Sequence, residues 1–405
     1  MLNVPPNSMT SIWQPFAVLA AVALAIGLRF SPKLRGYQFT AWIIAAVTAA
    51  MIFPEAFKHW GKFDLQNKWV KLLVVQTVMF GMGTQMSLHD FAGVVKNPRG
   101  VLVGIVCHFS IMPLIGLALT KIFHFEPEIA AGIILIGSCS SGLASNVMAY
   151  IAKSNLALSV TVTAMTTVVA PFITPLWVKW LVGEDVPMSY FNMMMEIIKI
   201  VIVPIGAALL HDYLKHATAR GWRIALGFMG AGAGWLVFIA CGGWAWLEQR
   251  LDPTGLVCAN VFGFFCAAVV VGVVYHGLTR RLPKLDSWMP VASMAGIVYF
   301  TTVTTAAGRD NLMKVGVLLL FASMIHNALG YVFGYWLSRA AGLDKNSARS
   351  VAFEVGLQNG AMASGLAAQM GKLGTIGLAA AIFSPWMNIS GSVLANFWRK
   401  REPKP

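Results

Sequence analysis

Apolar runs of about twenty residues recur from one end of the chain to the other, and each is long enough to cross a hydrocarbon core of roughly 30 Å. Thirteen such runs can be placed, near 11–29, 38–56, 70–88, 100–121, 128–152, 155–181, 190–210, 224–247, 256–277, 288–306, 313–338, 350–371 and 374–397. The 405 residues are 57% hydrophobic and only 11% charged, where a soluble domain carries about a quarter charged residues. A membrane barrel would alternate apolar and polar residues in segments of about ten, and no such alternation is present. The fold class this predicts is an all-α polytopic membrane protein.

The net charge of +14 does not indicate nucleic acid, because the basic residues sit in the loops between runs, where they set orientation. Nineteen Lys and Arg fall on one set of alternate loops and ten on the other, with Lys199 left inside a run. The bias predicts a cytoplasmic C-terminus and an external N-terminus; the expected location is a bacterial inner (plasma) membrane. "MLNVPPNSMT" carries no positive charge and so lacks the n-region of a signal peptide. The first run is followed by Arg29, Lys33 and Arg35, as a retained first span would be. The five cysteines, Cys107, Cys139, Cys241, Cys258 and Cys266, all fall in apolar segments without disulfide or zinc spacing, and read as packing residues.

Two stretches of nearly equal length repeat one pattern. Residues 108–146 and 320–359 each run as a hydrophobic helix, a short polar turn, and a second helix broken by small and polar residues that ends in an amide. The predicted topology places the two copies in opposite orientations. Inverted repeats with helices interrupted in matching places point to a transporter binding site.

The first interruption, "GSCSSGLASN", holds Ser138, Ser140, Ser141, Gly142, Ser145 and Asn146. Irregular backbone at membrane depth is tolerated only inside protein or against a water-filled cavity, though small residues also serve close helix packing. In the next run Ser159 and Thr163 are four apart, so their hydroxyls share a helix face; each could instead bond back to its own helix. The second interruption, "FEVGLQNGAMASG", carries Glu354, Gln358 and Asn359. A carboxylate at the bilayer centre costs about 2.5–3.5 kcal/mol or more. Glu354 therefore needs Lys199, a proton or a cation, and the oxygen-only company suits a hard cation such as Na⁺.

"GLASNVMAYIAKSNLALSVTVTAMTT", "EVGLQNG", "NISGS", "FGMGTQMSLHDF" and "IMPL" together resemble the bile acid:sodium symporter family, over about 38–397 except about 216–287. The resemblance implies ten helices in two inverted five-helix repeats, a core and a panel domain, and two broken helices crossing in the core. About three further helices are extra. On that pattern 1–37 is an extra N-terminal transmembrane helix, 38–95, 183–215 and 288–311 are panel parts, 96–182 and 312–398 are the core repeats, 216–287 is a two-helix insertion, and 399–405 is a basic cytoplasmic tail. The extra helices read as peripheral packing or dimer helices, so a homodimer is an expected partner state beside the lipid bilayer.

The resemblance also implies a site. A first Na⁺ would use Ser145, Asn146, Ser159, Thr163 and Glu354. A second would use Glu354, the carbonyls of Val355 and Leu357, the Gln358 side chain, and the position of His108. There the family carries a glutamine, so one or two coupling ions are expected. A second departure is "SCSSG", where bacterial members usually read cysteine followed by Pro-Gly-Gly; losing that proline softens the expected break. Asn359, Ser140, Ser141 and Gly142 are the expected substrate contacts.

The function implied is a secondary active transporter, not an enzyme: sodium-coupled symport of an organic anion, bile acid-like or a small keto or hydroxy carboxylate, by alternating access. Two alternatives stand beside it. One is a proton-coupled or exporting relative resembling arsenite exporters and using Cys139 as a thiolate, which no neighbouring cation in the sequence favours. The other is a channel or sensor, but no continuous polar stripe and no soluble output domain is present.

Overall fold

A computed structural model describes residues 13–30, 38–183 and 189–401. Each of the thirteen apolar runs is helical there. In chain order the helices are α1 (Trp13–Gly27), α2 (Gln38–Ile52), α3 (Lys68–Gly83), the short α4 (Leu88–Phe91) and α5 (Gly93–Lys96), α6 (Pro98–Phe123), α7 (Pro127–Ser138), α8 (Ala144–Ile151), α9 (Leu156–Val182), α10 (Tyr190–Ile197), α11 (Val203–Lys215), α12 (Ala219–Phe238), α13 (Trp244–Glu248), α14 (Pro253–Arg281), α15 (Lys284–Ala307), α16 (Arg309–Ala340), α17 (Lys345–Gly356), α18 (Gly360–Gln369) and α19 (Ile376–Arg399). Among the described residues nine helical rods are long and apolar enough to span a membrane. The expected external N-terminus, the loop bearing Lys33 and Arg35, and most of the basic tail lie outside the described residues.

Two of the thirteen passages are broken where the polar islands predict. The first is α7 and α8, parted at Cys139–Leu143; the second is α17 and α18, parted at Leu357–Asn359. Each sits between two long helices, α6 and α9 for the first, α16 and α19 for the second. Helix ends leave carbonyls and amides without partners, and in lipid nothing external can supply them. Here the two breaks supply each other. Gly142 N–H donates to the Leu357 carbonyl (2.9 Å) and Asn359 N–H to the Ser140 carbonyl (2.8 Å), an antiparallel bridge centred on Ser141 and Gln358. The break therefore needs no proline; pairing across the crossing holds it open.

Side chains complete the set. Thr174 on α9 donates to the Ser138 carbonyl (2.6 Å), and Asn327 on α16 donates to the Gly356 carbonyl (2.8 Å). Asn359 caps α18 by accepting from Met362 N–H (3.0 Å). α16 packs along α17 and α6 along α7, while α19 touches all four half-helices and α9 touches α7, α8 and α17. The buried hydrophobic core surrounds this assembly.

The three spans expected as extra are the least buried of the long ones among the described residues. Trp13–Phe30, Ala219–Glu248 and Pro253–Arg281 have only 6, 11 and 22% of their apolar stretches buried, against 39–56% for the other six long spans. Three local features were not expected from the sequence. The loop after α2 holds a two-residue hairpin, β1 (His59–Trp60) with β2 (Phe63–Asp64). The span expected to reach residue 88 ends at Gly83, and Ser87 N–H turns onto the Asp90 carboxylate (2.7 Å) to start α4. The rod from α10 to α11 also carries a π turn at Ile198–Ile202, and the rod from α12 to α13 is kinked at Cys241 and Gly242, the glycine at φ +96°.

Gly142 permits the close approach of the breaks, since a Cβ there would lie 2.8 Å from the Gln358 carbonyl oxygen. Gly142→Ala is expected to push the two strands of the bridge apart and to destabilise the protein by about 1–3 kcal/mol. Thermal unfolding in detergent measures this; an unchanged midpoint would show that the crossing is not tightly packed.

Candidate functional site

The acid sits beside the crossing. Glu354 lies on the last turn of α17, two residues before the break, and is fully buried. Ser145 and Asn146 lie on the first turn of α8. Ser159 and Thr163 lie one turn apart on α9, whose start is fixed by Asn155: its side chain accepts from Leu158 N–H (3.1 Å) and donates to Ser347 at the head of α17 (3.0 Å).

These five side chains meet. Ser159 Oγ is 2.5 Å from Glu354 Oε1 and 2.9 Å from Asn146 Oδ1. Thr163 Oγ1 is 2.8 Å from Glu354 Oε2 and 3.2 Å from Asn146 Oδ1. Ser145 Oγ is 3.3 Å from Thr163 Oγ1 and donates to the Gly142 carbonyl (2.8 Å). With the Asn146 amide oxygen turned to the hydroxyls, Ser159 and Thr163 bring two protons to four contacts with three acceptors, Glu354 Oε1 and Oε2 and Asn146 Oδ1. No ion pair to Glu354 occurs among the described residues. Lys199, the basic residue that could have neutralised it, pairs instead with Glu196 at 2.5 Å, so that reading of Glu354 does not hold. A buried carboxylate ringed by neutral oxygens lacks positive charge, and an all-oxygen donor set suits a hard monovalent cation.

The residues expected at a second ion are near but differently engaged. His108 on α6 is fully buried. Its Nδ1 lies 2.9 Å from the Glu354 carbonyl and its Nε2 2.8 Å from the Cys139 carbonyl, so the ring bridges the two broken helices. Both partners are acceptors, and each contact calls for a ring N–H. The Val355 carbonyl accepts from Gln358 Nε2 (2.7 Å). The Leu357 carbonyl accepts from Gly142 N–H and faces Ser141 Oγ at 3.3 Å. Gln358 Oε1 alone is left buried without a partner. Thus the main-chain oxygens expected to hold a second ion already accept hydrogen bonds from the protein.

Asn359, Ser140, Ser141 and Gly142 come together as expected, but inside the crossing. All are buried. Asn359 caps α18 and its Nδ2 points to Ser140 Oγ (3.4 Å), while Ser141 N–H donates to Thr166 Oγ1 (3.3 Å). Cys139 is wholly enclosed in the hydrophobic core, and no group of three or more metal-binding side chains of the His, Cys, Asp or Glu type occurs among the described residues.

Sequence reasoning missed Asn327, Thr174 and Ser390. Ser390 donates to Asn327 Oδ1 (2.5 Å), orienting the amide that holds the Gly356 carbonyl. Ser390 lies in the "NISGS" stretch, and Asn327 is the one amide in the buried middle of α16, beside Ser323 and His326; an intramembrane amide is itself a pointer to a backbone break nearby.

The chain is similar to known sodium-dependent transporters. The sequence model of the sodium bile acid symporter family matches residues 72–243, running into the segment 216–287 that the motifs had set apart. An uncharacterised sodium-dependent transporter of Bacillus subtilis, YocS, is 30% identical over 373 residues, covering 91% of this chain and 93% of that protein. The probable chloroplastic sodium/metabolite cotransporter BASS1 of Arabidopsis thaliana is 26% identical over 90% of this chain and 74% of its own. The human ileal sodium/bile acid cotransporter is 28% identical over 72% of this chain and 66% of its own. Among solved structures, the sodium proton antiporter MjNhaP1 of Methanocaldococcus jannaschii superposes with a TM-score of 0.56 over 96% of this chain and 98% of that one, at 12% identity, a likeness of fold alone.

Each hydroxyl of the cluster should matter to cation binding. Ser159→Ala or Thr163→Val removes one charge-assisted contact, worth about 1.5–3 kcal/mol, and is expected to weaken Na⁺ binding on the order of tenfold or more. Calorimetric titration with NaCl checks this, with KCl as the control; an unaltered affinity in both variants would remove the cluster from the ion site.

Proposed function

The chain belongs to the sodium bile acid symporter family, and from that premise we propose that it imports an organic anion by sodium-coupled symport, with a single Na⁺ held at Glu354. The family makes it a sodium-dependent transporter and not an enzyme. The observation that carries the finer reading is the proton-poor cluster around Glu354: a buried acid without a basic partner, wrapped by Ser145, Asn146, Ser159 and Thr163.

The coupling follows from where that acid sits. Glu354 ends α17, while Ser145 and Asn146 begin α8, so an ion bound between them ties together the two half-helices that meet at the crossing. Binding the ion favours the arrangement in which those half-helices are ordered, and an anion that binds the same arrangement gains from it. Each ligand then raises the affinity for the other by the same factor. The core repeats, 96–182 and 312–398, would move as one unit against a panel made from 38–95, 183–215 and 288–311, in a plasma membrane with the C-terminus in the cytoplasm. A small keto or hydroxy carboxylate is the proposed cargo.

A single ion is the reading that His108 supports. Its ring fills the place between the Glu354 and Cys139 carbonyls, and Gln358 covers the Val355 carbonyl. Equilibrium binding of radioactive Na⁺ to the purified chain is expected to saturate at one ion, and to vanish in Glu354→Ala. His108→Gln, which releases both carbonyls and returns an amide oxygen, should raise the count towards two. Two ions on the unaltered chain would refute the single-ion reading.

The transport reading itself is tested in proteoliposomes. An inward Na⁺ gradient should drive uptake of small carboxylates, replacement of Na⁺ by K⁺ should abolish it, and Glu354→Ala should lower it to the rate of empty vesicles. Uptake indifferent to both sodium and Glu354 would sink the proposal.

A further inference from the structure

Three cations gather where α16, α17 and α19 end together. Lys345 and Arg349 lie on the first two turns of α17, and Arg401 follows α19. With Tyr335, Trp336 and Trp398 they line a pocket of about 330 Å³. Arg349 is the unusual member. It is only 2% exposed. Its Nε has no hydrogen-bond partner, and its Nη1 reaches Asn346 Oδ1 at the long distance of 3.5 Å. The guanidinium stands 5.6 Å from the Trp398 ring.

Among the described residues no carboxylate lines the pocket; Glu402, which follows Arg401, lies outside them. Asp344, next to Lys345, is engaged as the N-cap of α17, accepting from the Asn346 and Ser347 amides at 2.8 and 3.0 Å. Among the described residues none of the three cations forms an ion pair. A buried guanidinium without counter-charge is costly. Its planar donor fork matches the oxygens of a phosphate.

We propose that this pocket binds the headgroup of an anionic phospholipid, its phosphodiester seated on Arg349 with Lys345 and Arg401 around it. Two features select a lipid over a free phosphate. The pocket borders Trp336 and Val332, which are 65% and 48% exposed on the apolar flank of α16; an acyl chain leaving the headgroup would remain on apolar surface. Tyr and Trp side chains also belong at headgroup depth. The charge asymmetry of the loops assigns this end to the cytoplasmic leaflet, where basic pockets between helices hold anionic headgroups.

The test uses the full chain purified in a neutral detergent without sodium, so its outcome is separate from that of the transport reading. Thermal unfolding is followed while dioleoyl phosphatidylglycerol is added. The midpoint should rise saturably, and neither dioleoyl phosphatidylcholine nor inorganic phosphate should raise it. The double variant Lys345→Gln, Arg401→Gln should need on the order of 20-fold more lipid for the half-maximal shift, about fivefold per cation lost. Arg349→Gln should remove the saturable shift altogether. An equal rise with phosphatidylcholine would overturn the proposal. So would a rise with phosphate alone, which would make the occupant a soluble anion. An unchanged half-maximal concentration in the double variant would place the lipid elsewhere and overturn it as well.

Discussion

The pairing of two helix breaks, Gly142 with Leu357 and Ser140 with Asn359, is the constraint on which the rest of this molecule depends. A single interrupted helix in a bilayer exposes carbonyls and amides that lipid cannot satisfy, at several kcal/mol for each group. Two interruptions brought together satisfy each other. The inverted order of elements, α6 to α9 and α16 to α19, delivers both breaks to one depth from opposite directions. What the pairing leaves over is handled by side chains reaching in from flanking helices, Thr174, His108 and Asn327, and by Gln358 within the break itself. The polarity of the membrane interior is thereby concentrated at one crossing.

That concentration lets a carboxylate sit there. Glu354 is within two residues of its break, so the same fold that brings the half-helices together presents it to Ser145 and Asn146 on the other repeat and to Ser159 and Thr163 on α9. The groups facing it are oxygens, with no ion pair to it among the described residues. On the other side of the crossing the Val355 and Leu357 carbonyls accept from Gln358 and Gly142. His108 stands between the Glu354 and Cys139 carbonyls, and a neutral imidazole brings one N–H to those two contacts. The two halves of the crossing are chemically unequal despite their repeated architecture, and the single-ion proposal rests on that inequality.

Much of this was legible in the sequence because it depended on local spacing. Thirteen apolar runs predicted thirteen helical passages, and the polar islands at 137–146 and 354–359 fell on the breaks. Ser159 and Thr163 share a face because they are four apart on a helix, and both reach the acid. What could not be read is what crosses between distant segments. Nothing in "IVCHFS" says that both nitrogens of His108 will find carbonyls, one of them 246 residues away. Asn359 looked free to meet cargo, yet its amide caps the half-helix that begins beside it. Lys199 looked like a partner for Glu354, but Glu196 lies one turn back on its own rod and reaches it first. Local ion pairs of this kind form without the cost of bringing two segments together, so they win over distant ones of equal chemistry.

α17 joins these themes in one rod. Its 12 residues span about 18 Å at 1.5 Å per residue, too short to cross a bilayer alone. Asp344 caps its outer end, Arg349 sits on its second turn, and Glu354 lies on its last turn at the crossing. Along nearly its whole length the helix is buried, against α16 on one side and α6 and α9 on the others. A rod held so closely cannot bend between its ends, so a charge bound at one end and a charge bound at the other act on the same rigid body. An ion at Glu354, as proposed, would fix α17 against α8 and α9, and an anionic headgroup at Arg349 would fix it against α16 and α19. The helix is thus placed to carry the ordering of the crossing out to the membrane surface, through packing alone and without a flexible element between them.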